Sequence, residues 1–176
     1  GTPSRKRMDY YENGIYPWIK SKELIGSYIL ETEEKINDEA LKNSSAKLLP
    51  ENSVLIAMYG ATVGQFAIIG QEATCNQAIC ACIPNEDYPY TFVYHTIKSN
   101  VDELKSRAVG SAQQNISQVL IKSLDIAFND NIGKFHVEVD PMMKKIKANY
   151  NQIHTLEKLR DTLLPKLMSG EVRIKT

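Results

Sequence analysis

Long apolar runs are missing from this sequence. No stretch of about 18 apolar residues occurs, so no membrane-spanning helix is expected. The opening Gly1-Thr2-Pro3-Ser4-Arg5-Lys6-Arg7 is polar and basic with no apolar stretch behind it, which is not the pattern of a secretory signal. Cysteine is scarce: Cys75, Cys80 and Cys82 are odd in number and crowded into one segment. Their C-x4-C-x-C spacing fits no common zinc site, and no histidine lies close by in sequence. Cys80 and Cys82 alternate with Ala81 and Ile83 as in a half-buried strand, so reduced structural thiols in a cytoplasmic protein are expected, not a metal site. An excess of either charge is missing as well. Lys plus Arg is 21 and Asp plus Glu is 21, for a formal net charge of 0. That excludes a uniformly basic coat of the kind that often marks nucleic-acid binders. It does not exclude a basic face. Residues 1–88 carry 8 basic and 12 acidic residues, net −4, and residues 89–176 carry 13 and 9, net +4.

Catalytic signatures are absent in the same way. Gly60-Ala61-Thr62-Val63-Gly64 lacks the trailing Gly-Lys-Ser/Thr of a phosphate loop and reads as a tight connection between strands. There is no G-x-S-x-G, no H-E-x-x-H and no G-x-G-x-x-G. His95, His136 and His154 are scattered; His95 and His154 lie in expected helices, and each of these two is read as a surface or packing residue. Prolines never occur in tandem, so the Asn/Asp-Pro-Pro-aromatic loop of an adenine methyltransferase is missing. Glu138 and Asp140 near Lys144 loosely resemble a nuclease carboxylate cluster, but Asp140-Pro141 is better read as a helix cap followed by a first-turn proline.

What is present is the length and apolar content of one ordinary domain, 176 residues with 43% hydrophobic, enough to bury a core without disulfides or metal. The start at Gly1 in place of an initiator Met fits a fragment that begins inside a larger protein. Up to about residue 137 the pattern is mixed and punctuated. Tyr16-Pro17-Trp18-Ile19 follows a turn at Asn13-Gly14. Asn37 to Leu41 is a cap and an acidic first helical turn. Pro50-Glu51-Asn52 turns into Val54 to Tyr59, an apolar run of strand length, and Phe66 to Ile69 resumes it after the glycine-bounded connection. Ala78 to Ile83 supplies another strand. Tyr90 to Leu104 is a helix, Ser111 to Gln118 an amide-rich loop, and Val119 to Phe128 re-enters the core.

The tail differs. From Asp140-Pro141 onward, Ile146, Ile153, Leu156, Leu163 and Leu167 recur at a/d spacing, Leu159 and Leu164 widen the stripe, and Asn149 and Arg160 interrupt it. A helix over 141–164 would be roughly 36 Å long at 1.5 Å per residue, broken or kinked at Pro165. Ser169-Gly170 would end it, and Val172-Arg173-Ile174 alternates like a short edge strand. So long a stripe calls for a partner helix. The expected architecture is an α/β (mixed α+β) domain over 1–137, then a long coiled-coil-forming helix and its tail over 138–176.

Binding signals are stronger than catalytic ones. Arg5-Lys6-Arg7 lies beside Tyr10 and Tyr11; Trp18, Lys20 and Lys22 combine an aromatic with two amines. Asn76-Gln77 and Gln113-Gln114-Asn115 are amide clusters. Amides can read adenine through N6 and N7, and Lys and Arg fix register on phosphates.

Several segments together carry a family likeness. Gly1-Thr2-Pro3-Ser4, Tyr16 to Lys20, Ala40 to Pro50, Val54 to Gly64, Asn76-Gln77, Gly110 to Ser117 and, most specifically, Leu156-Glu157-Lys158-Leu159-Arg160-Asp161-Thr162-Leu163-Leu164-Pro165-Lys166-Leu167-Met168-Ser169-Gly170-Glu171 run through nearly the whole chain in order. The chain resembles one half of the specificity subunit of type I restriction–modification systems. The resemblance implies a target-recognition domain and a conserved spacer helix, non-catalytic in themselves. Two such units usually lie in tandem, with helices packed antiparallel and each domain reading half of a bipartite double-stranded DNA site. It implies modification subunits that carry the methyltransferase and bind S-adenosylmethionine, a restriction subunit, and no cofactor on this chain. Only one unit is present, so the chain is either a fragment of a two-unit subunit or a half-length subunit that dimerises. The family often has Lys where Gln65 stands and proline where Gln114 stands.

On these grounds the DNA-contacting residues are expected to be Arg5, Lys6, Arg7, Lys20 and Lys22 for phosphates. Tyr59, Thr62, Gln65, Asn76, Gln77, Ser111, Gln113, Gln114 and Asn115 complete the set, with the amides and Tyr59 approaching base edges. The helix interface is expected at Ile146, Ile153, Leu156, Leu159, Leu163 and Leu167. Two rival readings are a standalone metal-dependent nuclease using Glu138 and Asp140, and a helix-mediated assembly protein that does not touch nucleic acid.

Overall fold

A computed structural model describes residues 1–108, 115–126 and 129–172. Among the described residues seven strands form two sheets. They are β1 (Tyr16–Ile19), β2 (Tyr28–Ile29), β3 (Lys35–Ile36), β4 (Val54–Ala57), β5 (Phe66–Ile69), β6 (Thr74–Cys75) and β7 (Ile79–Cys82). The first sheet has the order β3-β1-β6, with β1 antiparallel to β3 and parallel to β6. The second has the order β2-β5-β4-β7, antiparallel except for the β2–β5 edge. Four helices accompany them: α1 (Asp38–Lys42), α2 (Tyr90–Ser106), α3 (Gln118–Lys122) and α4 (Ile132–Met168).

The strand period of two sorts the side chains into layers. On β4, Val54 and Ile56 join Ile68 and the α2 residues Tyr90, Tyr94, Ile97 and Leu104 in a core between the second sheet and the helices. Leu55 and Ala57 point the other way and meet Ile19, Leu24, Leu49 and Cys75 between the two sheets. Both faces of β4 are therefore covered, which explains its uninterrupted apolar run. On β1, Ile19 faces the second sheet, whereas Trp18 joins Tyr10, Ile36, Ala40 and Ala46 on the outer side, under α1. Asn37 caps α1 by accepting from the Ala40 N–H at 3.0 Å. Asn52, at φ 67°, completes the turn into β4. β7 pairs with β4 on one side only, and Cys75, Cys80 and Cys82 are free thiols.

Three expectations need correction. The long helix does not start at Asp140-Pro141. It starts at Ile132, and Pro141 lies inside it, as does Pro165. Proline inside a helix removes one hydrogen bond and crowds the carbonyl four residues earlier. Here that carbonyl belongs to Val137, an exposed residue, where water can satisfy it. The turns before Pro141 are held by packing on α2: Ile132 is buried, and the Phe135 ring meets Phe92 and His95 edge-on. Tertiary contact overrides the local proline rule. At the other end the helix passes Pro165, whose carbonyl accepts from the Ser169 N–H at 2.9 Å. Residue 137 therefore falls within α4. Third, of the segment from Val119 to Phe128, Ala127 and Phe128 lie outside the described residues, and the rest returns only in part to the core: Ile121 is buried with Leu120 and Leu124 packed beside it, while Val119 and Ile126 are exposed. Of the expected edge strand, Arg173 and Ile174 lie outside the described residues, and Val172 bends back to donate to the Lys166 carbonyl.

Candidate nucleic-acid interface

Three polar connections meet at one end of the second sheet. The β4–β5 connection is closed by Gly64 N–H to Ala57 C=O at 2.9 Å and Ala57 N–H to Gln65 C=O at 2.8 Å. Both of its glycines have positive φ, +84° at Gly60 and +76° at Gly64, a region that L side chains rarely enter. The β6–β7 connection joins at Met58, whose N–H donates to the Ala78 carbonyl at 2.8 Å. The third segment arrives at the same residue: Ile116 N–H donates to Met58 C=O at 2.7 Å, and Tyr59 and Asn115 form an antiparallel bridge. Buried Met58 and Ile116 thus fasten three loops to one sheet end.

This arrangement gathers Tyr59, Thr62, Gln65, Asn76, Gln77 and Asn115, six of the expected contact residues. Gln65, Gln77 and Asn115 are exposed, and Tyr59 is half-buried against the helix-side core. Asn76 has a turn-forming role, accepting from the Ala78 N–H at 3.1 Å. Gln77 accepts from the Thr2 hydroxyl, which brings the N-terminal strand of chain to the same end. Ser111, Gln113 and Gln114 lie outside the described residues.

The expected phosphate contacts are placed differently. Between β2 and β3 the chain carries Glu31, Glu33 and Glu34, and these carboxylates neutralise most of the basic cluster. Lys20 reaches Glu33 at 2.7 Å and Glu34 at 3.0 Å, with its side chain only 18% exposed. Lys22 shares Glu33 at 2.8 Å, and Arg5 reaches Glu34 at 2.7 Å. The Arg5 guanidinium also lies over the Tyr11 and Trp18 rings, 4.4 and 4.9 Å from their centroids. Arg7 pairs with Asp9 through two nitrogens and stacks on Tyr10. Hydrogen bonds from Lys20 and Lys22 hold Glu33 down to about 2. Burial pushes Glu34 upward, but the hydrogen bonds from Lys20 and Arg5 outweigh it and leave it below the usual carboxylate range. Among the described residues Lys6 enters no ion pair.

Sequence reasoning passed over the end of α2. Lys105 lies across Gly64, where an added Cβ would collide with its Cε and stand 2.9 Å from its Cγ. A notch of about 360 Å³ opens there, lined by Lys22, Gly26, Gly64, Gln65 and Lys105 among others. No sequence signal joins residues 64 and 105; only the fold does.

The foot of α4 holds the residues of the nuclease rival. Positions 138 and 140 differ by about 200° around a helix, so their carboxylates leave opposite sides. Asp140 accepts from the Tyr90 hydroxyl at 2.8 Å and pairs with Lys144 at 2.7 Å. Burial raises Asp140, yet these two partners hold it below its ordinary value. Among the described residues no group of three metal-binding side chains forms. Further along, Lys147 donates to Glu51 and to the Gly70 carbonyl, both at 2.6 Å, and His154 and Lys158 reach Glu31 at 2.7 and 2.5 Å. Beyond Met143 no α4 side chain is buried. Ile146, Ile153, Leu156, Leu159, Leu163 and Leu167 are exposed, Leu156 to 63% and Leu163 to 37%.

Comparison with known proteins agrees with the sequence likeness. Residues 1–128 match the sequence model of the type I restriction modification DNA specificity domain. The MjaIX specificity subunit of Methanocaldococcus jannaschii is 28% identical over 186 residues, covering 99% of this chain and 42% of that protein. The HindI specificity subunit of Haemophilus influenzae is 27% identical over 177 residues, covering 97% of this chain and 38% of that one. The fold matches the crystal structure of a type I restriction–modification S subunit from M. genitalium with a TM-score of 0.64 at 18% identity, over 96% of this chain and 42% of that one. The chain thus spans less than half the length of these relatives. With the family's sequence pattern over most of its length, and the mixed sheets and long helix in place around it, the chain belongs to the type I restriction–modification DNA specificity family.

Proposed function

We propose that this chain is a non-catalytic recognition unit that reads one half of a bipartite site in double-stranded DNA and directs a type I methyltransferase and nuclease complex to it. The observation that carries the reading is the meeting of three polar loops, with Tyr59, Gln65, Gln77 and Asn115, at one sheet end. The glycine turn that joins β4 and β5, at the end of the covered sheet, is of a size that the major groove, about 12 Å wide, admits. Exposed amides there can bond adenine N6 and N7 through two atoms at once, and Asn115, fixed by its bridge to Tyr59, presents its side chain from a defined place. The exposed leucines of α4 pack against the matching helix of a second unit, whether in the same longer subunit or in a second copy. The chain's 42% share of the length of its M. jannaschii relative fits one unit of two.

In this reading S-adenosylmethionine is bound by the modification subunits, which dock on the assembled unit and bring the restriction subunit with them in the cytoplasm. Shared contacts explain why the chain can be neutral overall: partners on the same DNA supply positive charge. The segment before α4 does the reading, and α4 with its tail does the spacing, so the division falls near residue 131 and not after residue 137.

Selection from a pool of random duplexes tests the proposal. Enrichment of a short half-site without cleavage in Mg²⁺ is the expected outcome. No enrichment at low salt would overturn it, and metal-dependent cleavage by the isolated chain would turn the reading to an enzyme.

A further inference from the structure

We infer that the notch between the β4–β5 turn and the last turn of α2 seats a backbone phosphate of the bound duplex, with Lys105 as its cation. This rests on the proposed reading of the chain as a DNA-recognition unit and adds to it a positioning contact.

The charge inventory of the recognition end leads to the assignment. Arg5, Arg7, Lys20 and Lys22 each hold a carboxylate within 3.0 Å. Lys105 enters no ion pair among the described residues, yet it sits against the turn that carries Thr62 and Gln65. Its stem is laid over Gly64, which has no side chain to obstruct it, so the ammonium is placed by packing before any ligand arrives. A cation held in this way loses less conformational entropy on contact than a free surface lysine. The notch beside it, about 360 Å³, is large enough for a phosphate. Gln65 stands on its rim as a neutral donor. Lys22 also lines the notch and shares its ammonium with Glu33. Phosphate contacts set register and leave sequence choice to base edges. A phosphate held at Lys105 would fix how far the β4–β5 turn enters the groove. A purely structural role is the rival: Lys105 lies in the last turn of α2, where a cation complements the helix dipole without any ligand.

The test is a salt titration of the purified full chain on a labelled random-sequence duplex, read by fluorescence anisotropy. One lost phosphate contact should flatten the log affinity against log salt line by about 0.9, which is roughly an eightfold loss near 0.1 M salt. Lys105→Gln should show that flattening, equally on every duplex, with the thermal midpoint preserved. Lys105→Arg should keep the native slope. Lys42→Gln, at the end of α1 and outside the notch, should also keep it. A native slope in Lys105→Gln overturns the assignment while leaving the DNA reading intact. The same flattening in Lys42→Gln overturns it too, because the effect would then follow net charge and not the notch. If the native chain shows no salt-dependent binding to duplex at all, the recognition reading itself fails and the notch assignment fails with it.

Discussion

Replacing both Leu156 and Leu163 by Asp probes the helix partner proposed for α4. The two side chains are exposed to 63% and 37%, together the equivalent of one whole leucine open to water on each helix. Covering one leucine contributes about 2 kcal/mol. A symmetric pair of helices covers two such equivalents, about 4 kcal/mol, or nearly three decades of dissociation constant. Aspartate removes that term and adds the cost of bringing carboxylates into an apolar seam, so three decades is the lower bound. Neither leucine is buried against the domain, so the fold should survive. Sedimentation velocity over a concentration series, with circular dichroism as a control on helix content, reads the effect. The native chain should self-associate, and the double variant should sediment as a monomer over the same range with unchanged ellipticity. A native chain that stays monomeric throughout, or a variant that associates as the native chain does, would refute the seam.

Asn37→Ala removes the α1 cap and also the hydrogen bonds that the Asn37 amide donates to the Asp9 and Glu12 carbonyls, so a loss of about 2–3 kcal/mol is expected from urea unfolding. Glu33→Gln should release Lys22, while Lys20 keeps Glu34, and steepen the salt dependence of duplex binding by about 0.9, one phosphate's worth; an unchanged slope would place the Lys22 amine away from DNA. Asn115→Ala should relax sequence preference, at about 1–3 kcal/mol for a lost bidentate contact, and a uniform loss over all sequences would make Asn115 a positioning residue instead. Hydrogen bonds from Lys158 and His154 hold Glu31 below its ordinary 4.5, so its share of α4 docking is present above that value and is lost as pH falls through the lower folded value. Protection factors around Tyr150 to Lys158, which divide out the intrinsic slowing of amide exchange in acid, should therefore fall in acid in the native chain, and Glu31→Gln should show the low protection already at neutral pH.

How much of this could be seen beforehand depends on where the determining contacts lie. β4, β5 and α2 were legible because an apolar run, or a helical period, bounded by turn residues is a local signal. The two-residue strands β2, β3 and β6 carry no such signal; they exist because Tyr28 aligns with Ile68, Lys35 with Pro17 and Thr74 with Trp18 across distant sequence. The start of α4 was misplaced because proline rules are local, whereas the packing of Phe135 and Ile132 on α2 is not. The amides were found by composition, and the fold brought several of them to one end. The basic residues were found too, but not their carboxylate partners, which lie between 2 and 29 residues away and meet them through the β2–β3 connection or a local turn.

The two ways in which α4 is attached give the protein a mechanical character. Its foot is set in apolar contact through Ile132 and Met143, while its shaft is stayed by polar contacts, Lys147 to Glu51 and the Gly70 carbonyl, and His154 and Lys158 to Glu31. Apolar footings are indifferent to ions, but exposed charge pairs weaken as the Debye length shrinks from about 10 Å at 0.1 M to about 3 Å at 1 M salt. The helix therefore behaves as a mast with a fixed step and adjustable stays. Salt or acid would change its lean without loosening its base, and with it, in the proposed pairing of two units, the distance and angle between their sheet ends.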